Sequence, residues 1–153
     1  MKTILILNGP NLNLLGTREP ETYGAATLAD VEALCRATGE RLGVAVECLQ
    51  SNHEGVLLDA LHEAGRRIAA GEVLGVVMNP GAYTHTSIAL HDAIKGASVK
   101  LIEVHISNVH ARESFRHHSF VSPVAAGIVV GFGVHGYALA MEGLVAQATG
   151  RPV

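Results

Sequence analysis

Short apolar runs alternate along this chain with stretches of helical period, and this alternation limits the fold more than any other feature of the sequence. It is typical of βαβ units, which build a parallel sheet with helices on both faces. Five runs are rich in Val, Ile or Leu without strict polar alternation, as expected of strands that are covered on both sides. They are residues 3–7, 44–49, 73–78, 99–104 and 127–130.

Four stretches place their apolar residues on one helical face. The first starts at Leu28, directly after Thr27 and with Asp30 close behind, which is a pattern typical of a helix N-cap. The other three are expected after Ser51 and Asn52, after Thr84, and from Val134 to near the C-terminus.

The number and length of these elements predict one α/β domain over residues 1–153, because a second hydrophobic core would need more chain. Right-handed crossovers leave few arrangements of five parallel strands, and the flavodoxin-like order 2-1-3-4-5 is the expected one. The predicted fold is a three-layer sandwich with a five-stranded parallel sheet in the middle. In this order strands one, three and four are neighbours, so a ligand is expected beyond their carboxyl ends.

Charge and hydropathy argue against two classes of partner. The net charge is −3 and the Lys and Arg residues are scattered, so the chain lacks the basic stripe that nucleic acid requires. The apolar run near the N-terminus is too short for a signal peptide or a membrane span. We therefore expect a cytoplasmic protein that binds neither nucleic acid nor a membrane. Cys35 and Cys48 have no CxxC spacing, and we interpret both as buried apolar residues.

The chain becomes polar and glycine-rich at three places, and each place follows one of the three neighbouring strands. These segments cover residues 8–24, 79–85 and 105–116. Any one of them alone fits an ordinary solvated loop, since loops need polar residues. All three at one edge of the sheet indicate a binding site.

The first polar loop is long, with 17 residues from Asn8 to Gly24. Loops of this length without secondary structure are usually lids or binding loops. This one carries Arg18 and Tyr23. An unperturbed tyrosine is a poor base at neutral pH, because forming its phenolate costs roughly 4 kcal/mol of free energy. A neighbouring guanidinium lowers the pKa of the phenol and so reduces this cost. The pair indicates a lid with a usable base, although a tyrosine here also fits a simple surface anchor.

Glu103 and His105 stand two residues apart at the end of the fourth predicted strand, so their side chains leave the same face. A carboxylate bonded to one ring nitrogen fixes the tautomer of a histidine and leaves the other nitrogen to act as a general acid. The pair fits a purely structural contact equally well, and spacing alone does not separate the two interpretations.

The segment after this strand adds donors for an anion or a polyol. Arg112 and Arg116 are four residues apart and share one face if the segment is helical. Ser107 and Asn108 offer backbone donors to a carboxylate at the turn. Arginines at this spacing are common on surfaces, so this signal is weak by itself.

Two patterns are misleading. The stretch GFGVHG matches the dinucleotide-binding pattern, but that pattern belongs in the first βα turn of a unit with a further strand, and here only 17 residues follow Gly136. We interpret these glycines as sites of close helix packing. The nine histidines suggest a metal, yet HExxH and CxxC spacings are absent and Glu103 with His105 supplies at most two ligands. We therefore expect no metal, and the absence of a P-loop disfavours nucleotide chemistry.

Five blocks of the sequence resemble type II 3-dehydroquinate dehydratases, in order and over almost the whole chain. They are NGPNLNLLGTREPETYG, QSNHEG, NPGAYTHTSIAL, VHISNVHARESFRHHS and GFGVHGYALA. The resemblance implies the flavodoxin-like fold predicted above. It also implies a hydro-lyase without a cofactor, which converts 3-dehydroquinate into 3-dehydroshikimate by anti elimination of water through an enolate.

The resemblance further implies catalytic roles for five residues. Tyr23 matches the proton acceptor at C2, and Arg18 matches the residue that keeps this tyrosine as phenolate and stabilises the transition state. His105 matches the acid that protonates the departing C1 hydroxyl, and Glu103 matches the residue that orients it. Asn11 resembles the residue that holds a water against the enolate oxygen.

Substrate binding is implied at five more positions. Asn79, His85 and Arg116 match residues that hydrogen-bond the hydroxyls of the substrate. The backbone of Ile106 and Ser107 matches the cradle of its carboxylate.

Two other matches concern the lid and the assembly of the family. Arg112 lies where the family has an arginine near the tyrosine. Asp92 matches a residue that reaches into the site of a neighbouring subunit, since the family assembles as a dodecamer of four trimers. The reaction serves both shikimate biosynthesis and quinate breakdown, and the sequence does not separate these roles.

Two other functions remain open at this point. A flavodoxin-like module that binds flavin or nucleotide predicts a flavin spectrum or a nucleotide-dependent melting shift, and a non-catalytic regulatory domain predicts no turnover. An imine mechanism is not expected, because the only lysines, Lys2, Lys95 and Lys100, fall away from the carboxyl ends of the strands.

Overall fold

The computed structural model describes residues 1–17 and 19–150, except for the side chains of Pro20 and Tyr23. The strands form one parallel sheet in the order β2-β1-β3-β4-β5, which confirms the predicted flavodoxin-like arrangement. Their bounds are β1 (Thr3–Asn8), β2 (Ala45–Gln50), β3 (Val73–Asn79), β4 (Leu101–His105) and β5 (Gly127–Val130). The predicted start of the fourth strand at Val99 is wrong, because its N–H bonds back to Ile94 in the preceding helix.

The helices are α1 (Pro20–Tyr23), α2 (Leu28–Leu42), α3 (Glu54–Ala69), α4 (Ile88–Gly96) and α5 (His135–Thr149). The predicted cap of α2 is confirmed, since Thr27 and Asp30 exchange hydrogen bonds as a capping box. Helix α4 follows Thr84 as predicted, and residues Gly81–His85 form a 3-10 turn before it. Ser87 then caps α4 by accepting a hydrogen bond from the N–H of Leu90 at 2.9 Å.

Two hydrophobic cores lie on opposite faces of the sheet. Ile4 and Ile6 of β1 face α2 and α5, whereas Leu5 and Leu7 face α3 and α4. All four side chains are buried, and burying such a side chain stabilises the fold by about 1.5–3 kcal/mol. The sheet is therefore covered on both sides, as the strongly apolar strands predict.

The register of the sheet aligns the carboxyl ends of its strands. Asn8 at the end of β1 pairs with Asn79 at the end of β3, and Met78 pairs with Glu103 of β4. The loop after β1 then passes close to the loop after β3. A Cβ at Gly9 would lie 2.4 Å from the carbonyl oxygen of Pro80, so only glycine permits this approach.

Within the described part of the chain, the helices are too short or too polar to cross a lipid bilayer.

Candidate active site

A polar cleft lies at the carboxyl edge of the sheet, where the loops after β1, β3 and β4 meet. Eight of the twelve residues that the sequence nominates line it. They are Asn11, Asn79, His85, His105, Ile106, Ser107, Arg112 and Arg116, and they are joined by Pro10, Leu12, Gly81, Ala82 and Val109. The fold thus brings the three polar loops together at the switch point of the sheet.

The other four nominated residues lie elsewhere or are not described. Glu103 lies behind His105 and lines a neighbouring cavity. Asp92 is exposed on α4 and is not among the residues that line the cleft. Arg18 and the side chain of Tyr23 lie outside the described part of the chain, although the backbone of Tyr23 ends α1. The expectation of a loop without secondary structure is wrong, because a 3-10 turn at Leu12–Leu14 precedes α1.

Glu103 and His105 form a buried pair, with Nε2 of the ring 2.5 Å from Oε2 of the carboxylate. Burial raises the pKa of Glu103, but hydrogen bonds from His105, Ser122 and Thr84 outweigh this effect and hold the pKa below its usual value. The carboxylate is therefore ionised at neutral pH and only accepts hydrogen bonds. Nε2 of His105 then carries a hydrogen, and Nδ1 is the nitrogen left for a ligand.

His85 is held in one tautomer by a carbonyl group. Its Nδ1 lies 2.8 Å from the backbone oxygen of His118, and since a carbonyl only accepts, Nδ1 donates and Nε2 is a free acceptor. Burial lowers the pKa of His85, and the charges of His105 and Arg116 lower it further. The neutral ring of His85 can therefore accept a hydrogen bond from a hydroxyl group of a ligand.

The amide of Asn79 is oriented by two contacts. Its Oδ1 accepts from the N–H of Gly81 at 3.1 Å, and its Nδ2 donates to the hydroxyl of Tyr137 at 3.1 Å. That hydroxyl donates in turn to Oδ1 of Asn8 at 2.5 Å. Tyr137 is fully buried on α5, so it fixes the two asparagines that end β1 and β3. One N–H of the Asn79 amide remains for a ligand.

The two cleft arginines come from separate turns. The possibility of a single helix through this segment is wrong, because 3-10 turns at Val109–Ala111 and Ser114–Arg116 are divided by an extended Arg112. Both guanidinium groups nevertheless belong to residues that line the cleft. Arg112 donates to Oγ of Ser107 at 3.2 Å, and Nε of Arg116 donates to Glu113 at 2.6 Å.

Asn11 stands at the beginning of the long loop with a left-handed backbone, at φ 68°. Its N–H donates to Oδ1 of Asn52 at 2.9 Å, and the backbone oxygen of Asn52 accepts from the hydroxyl of Tyr83 at 2.6 Å. Asparagine is one of the few residues other than glycine that tolerates this conformation. The loop after β2 thereby fixes where the long loop begins.

Four residues that support this site are not predicted from the sequence. Thr84, Ser119 and Ser122 bond the carboxylate of Glu103, and Tyr137 bonds Asn79. The one available signal was two serines three residues apart before the last strand, and such serines are common in loops.

The glycines of the GFGVHG stretch support the fold. A Cβ at Gly136 would lie 3.2 Å from Val104 and 3.4 Å from Val129, which confirms the predicted close packing at this glycine. The N–H groups of Gly131 and Gly133 donate to the carbonyls of His105 and Ile106. These donors are thus already engaged and are not free for a phosphate.

The described residues contain no group of three or more His, Cys, Asp or Glu side chains that could hold a metal ion.

Comparison with known proteins identifies the family. Residues 2–145 match the sequence model of the family described as Dehydroquinase class II. The chain belongs to this family. It is 76% identical over 145 residues to a 3-dehydroquinate dehydratase of Marinomonas sp. (strain MWYL1), an alignment that covers 95% of this chain and 97% of the relative.

Other class II dehydroquinases and related proteins resemble the chain over similar spans. A 3-dehydroquinate dehydratase 2 of Ralstonia nicotianae is 68% identical, with 99% of this chain and 98% of the relative covered. The solved type II dehydroquinase of Butyrivibrio crossotus superimposes with a TM-score of 0.88 at 45% identity, over 94% of this chain and 97% of its own. The family match includes all three loops of the cleft.

Proposed function

We propose that this protein is a type II 3-dehydroquinate dehydratase, which removes water from 3-dehydroquinate to give 3-dehydroshikimate. The observation that carries the proposal is the buried, ionised Glu103 bonded to His105 at a polar cleft of a chain that belongs to the class II dehydroquinase family. We further propose that residues 1–153 act as one catalytic domain.

His105 acts as the general acid of this reaction. Its Nε2 is tied to Glu103, so the proton for the departing C1 hydroxyl comes from Nδ1 of the imidazolium. The negative charge of Glu103 stabilises that imidazolium until the proton is transferred. Glu103 itself is 1% exposed and orients the ring without touching the substrate.

Tyr23 acts as the base that removes the C2 proton, and Arg18 keeps it as phenolate and stabilises the transition state. Both belong to the segment after β1, and the start of that segment at Asn11 and Leu12 lines the cleft. The resulting enolate is stabilised by a water that Asn11 holds. We propose anti elimination, in agreement with the family resemblance, with the base supplied by the loop after β1 and the acid by the end of β4.

Substrate binding uses the directions of the donors and acceptors described above. Nε2 of His85 accepts from one hydroxyl of the substrate, and the free N–H of Asn79 donates to another. Arg116 adds a charged donor, and the backbone of Ile106 and Ser107 cradles the carboxylate. Arg112 donates to Ser107 in the same cleft, and its match to a family arginine near the tyrosine supports a role beside Tyr23.

The reaction uses no cofactor and no imine. Lys2 and Lys100 precede β1 and β4 at the far edge of the sheet, and Lys95 is exposed late in α4. Borohydride added with substrate should therefore leave activity intact, and covalent trapping of the substrate would contradict this mechanism.

We propose a homododecamer of four trimers, in which Asp92 reaches the site of a neighbouring subunit. Apart from Met1, four large apolar side chains among the described residues are at least half exposed in the single chain, which favours their burial against other copies. They are Ile88, Phe115, Ile128 and Phe132. Analytical ultracentrifugation tests the mass of the assembly, and a monomer would contradict it. A cytoplasmic location is part of the same proposal, and cell fractionation tests it.

The decisive experiment mixes the purified protein with 3-dehydroquinate and follows the ultraviolet absorption of the conjugated enone product. Turnover is expected, and its absence at high protein concentration would overturn the proposal. A Tyr23→Phe variant should lose about 10²–10⁴-fold in kcat, which is the usual contribution of acid or base catalysis. Wild-type turnover by this variant would leave the reaction standing but refute the base.

A further inference from the structure

The carboxylate of Glu103 is surrounded by three hydroxyl groups in addition to its histidine. Ser122 lies 2.5 Å from Oε1, whereas Thr84 and Ser119 lie 2.8 Å and 3.0 Å from Oε2. These residues come from two different loops, one after β3 and the other before β5. We call Thr84, Ser119 and Ser122 the hydroxyl cage.

The direction of these hydrogen bonds follows from hydrogen counting. Oγ of Ser119 accepts from the N–H groups of Val121 and Ser122 at 3.1 Å and 3.0 Å, so its acceptor capacity is filled. Its single hydrogen must therefore be donated, and the available acceptors are Glu103 and the hydroxyl of Thr84. The backbone of the turn thus directs the Ser119 hydrogen either to the carboxylate or to the Thr84 hydroxyl, which itself donates to Glu103.

The two loops of the cage are also joined directly. The N–H of Phe120 donates to the carbonyl of Thr84 at 2.8 Å, and His85 bonds the carbonyl of His118 at the same distance. The cage therefore lies in a segment whose backbone is fixed on both sides of Ser119. Such fixed donors stabilise a charge without having to reorganise.

We propose that Thr84, Ser119 and Ser122 are positioning residues that keep Glu103 ionised and thereby set the pH range in which His105 serves as the acid. This inference rests on the proposed function. Each hydroxyl lowers the affinity of the carboxylate for a proton, and a less basic carboxylate holds the His105 proton less tightly. The other titratable or charged residues beside Glu103 are His85, His110, Arg116, His117 and His118, which line the same cavity.

Removing one hydroxyl has an effect that distinguishes this role from simple structural support. Without the Ser122 hydroxyl, Glu103 becomes more basic and also holds the proton of His105 more tightly. The alkaline limb of the pH profile of kcat/KM, which reports loss of the His105 proton, then moves to higher pH. Loss of structural support would lower the plateau of the profile and leave its limbs in place.

The test measures kcat/KM for 3-dehydroquinate against pH in Ser122→Ala. The alkaline limb is expected to move to higher pH by up to about one pH unit, since the hydrogen bond that Glu103 loses is worth about that much. Ser122→Thr keeps the hydroxyl and should restore the wild-type limbs. Ser114→Ala removes an exposed hydroxyl from the same segment and should change neither limb nor plateau.

A second readout does not depend on turnover. The ring titration of His105, followed by NMR and assigned with a His105→Asn variant, should move to higher pH in Ser122→Ala. In a Glu103→Gln background the same serine substitution should leave that titration unchanged, because the cage acts through the carboxylate. A wild-type protein without turnover would refute the proposed function, and the NMR titration would still decide on the cage.

An unmoved alkaline limb and an unmoved His105 titration in Ser122→Ala would refute the positioning role of the hydroxyl cage. If that variant does not fold, Thr84→Val removes a different cage hydroxyl at nearly constant shape and makes the same test.

Discussion

Replacing Tyr137 by Phe removes a single hydroxyl from the buried floor of the cleft. That hydroxyl donates to Oδ1 of Asn8 and accepts from Nδ2 of Asn79. Nδ2 of Asn8 has no hydrogen-bond partner among the described residues. Within this part of the chain, the Asn8 side chain therefore forms a hydrogen bond to Tyr137 alone. The substitution leaves the shape of the core unchanged and takes away only the two hydrogen bonds.

The expected cost follows from the burial of both asparagines, which are 0% and 3% exposed. A buried polar group that loses its partner costs about 1–3 kcal/mol, so Tyr137→Phe should lower the free energy of unfolding by about 2–4 kcal/mol. Asn79 also loses one of the two contacts that orient its amide. If Asn79 binds the substrate, KM should rise about fivefold, which corresponds to about 1 kcal/mol.

Urea unfolding at fixed protein concentration measures the stability, with the midpoint and slope fitted separately. Tyr83→Phe is the matched control, because its hydroxyl donates to the backbone oxygen of the exposed residue Asn52. Water replaces that bond readily, so the control should lose only about 0.5–1.5 kcal/mol. Equal losses in the two variants would refute the reasoning, since they would mean that the buried asparagines do not depend on Tyr137.

Three further predictions concern other parts of the fold. Gly9→Ala places a methyl group against the carbonyl of Pro80, so unfolding free energy should drop by about 1–3 kcal/mol and turnover should fall with it; an unchanged urea midpoint would contradict this. Burial raises the pKa of Cys35 from 9.0 to about 12. The folded thiol keeps a proton that the unfolded thiol loses, so its contribution to the free energy of unfolding is full below about pH 9 and declines above it. The urea midpoints at about pH 8 and pH 10 should therefore differ less in Cys35→Ala than in the wild-type protein. Arg67→Ala breaks a surface pair with Glu47 and should cost less than about 1 kcal/mol without changing turnover, as a melting scan and the enone assay would show.

The sequence predicts most of the fold because the relevant signals are local. Apolar runs identify the strands, and the Thr27–Asp30 pattern identifies the start of α2. The strand order follows from the handedness of βαβ connections, which applies to any sequence of this type. The errors occur at element ends such as Val99, where a single hydrogen bond to the preceding helix decides where the strand begins.

The sequence also predicts where the site lies. In a parallel sheet the carboxyl ends of neighbouring strands share one edge, so three polar loops that follow β1, β3 and β4 must converge. The pairing of Glu103 with His105 follows similarly from the two-residue repeat of a strand. The roles of Arg18 and Tyr23 stay predictions, because Arg18 and the Tyr23 side chain lie outside the described part of the chain.

Only the tertiary structure decides the protonation and orientation of the site. The tautomer of His85 depends on the carbonyl of His118. The charge of Glu103 depends on the hydroxyl cage, and the orientation of the Asn79 amide depends on Tyr137. These partners lie far apart along the chain, and Tyr137 is 129 residues from Asn8. A hydrogen bond between such distant residues leaves no periodic pattern in the sequence, because it is set by how the loops and helices pack and not by local propensity.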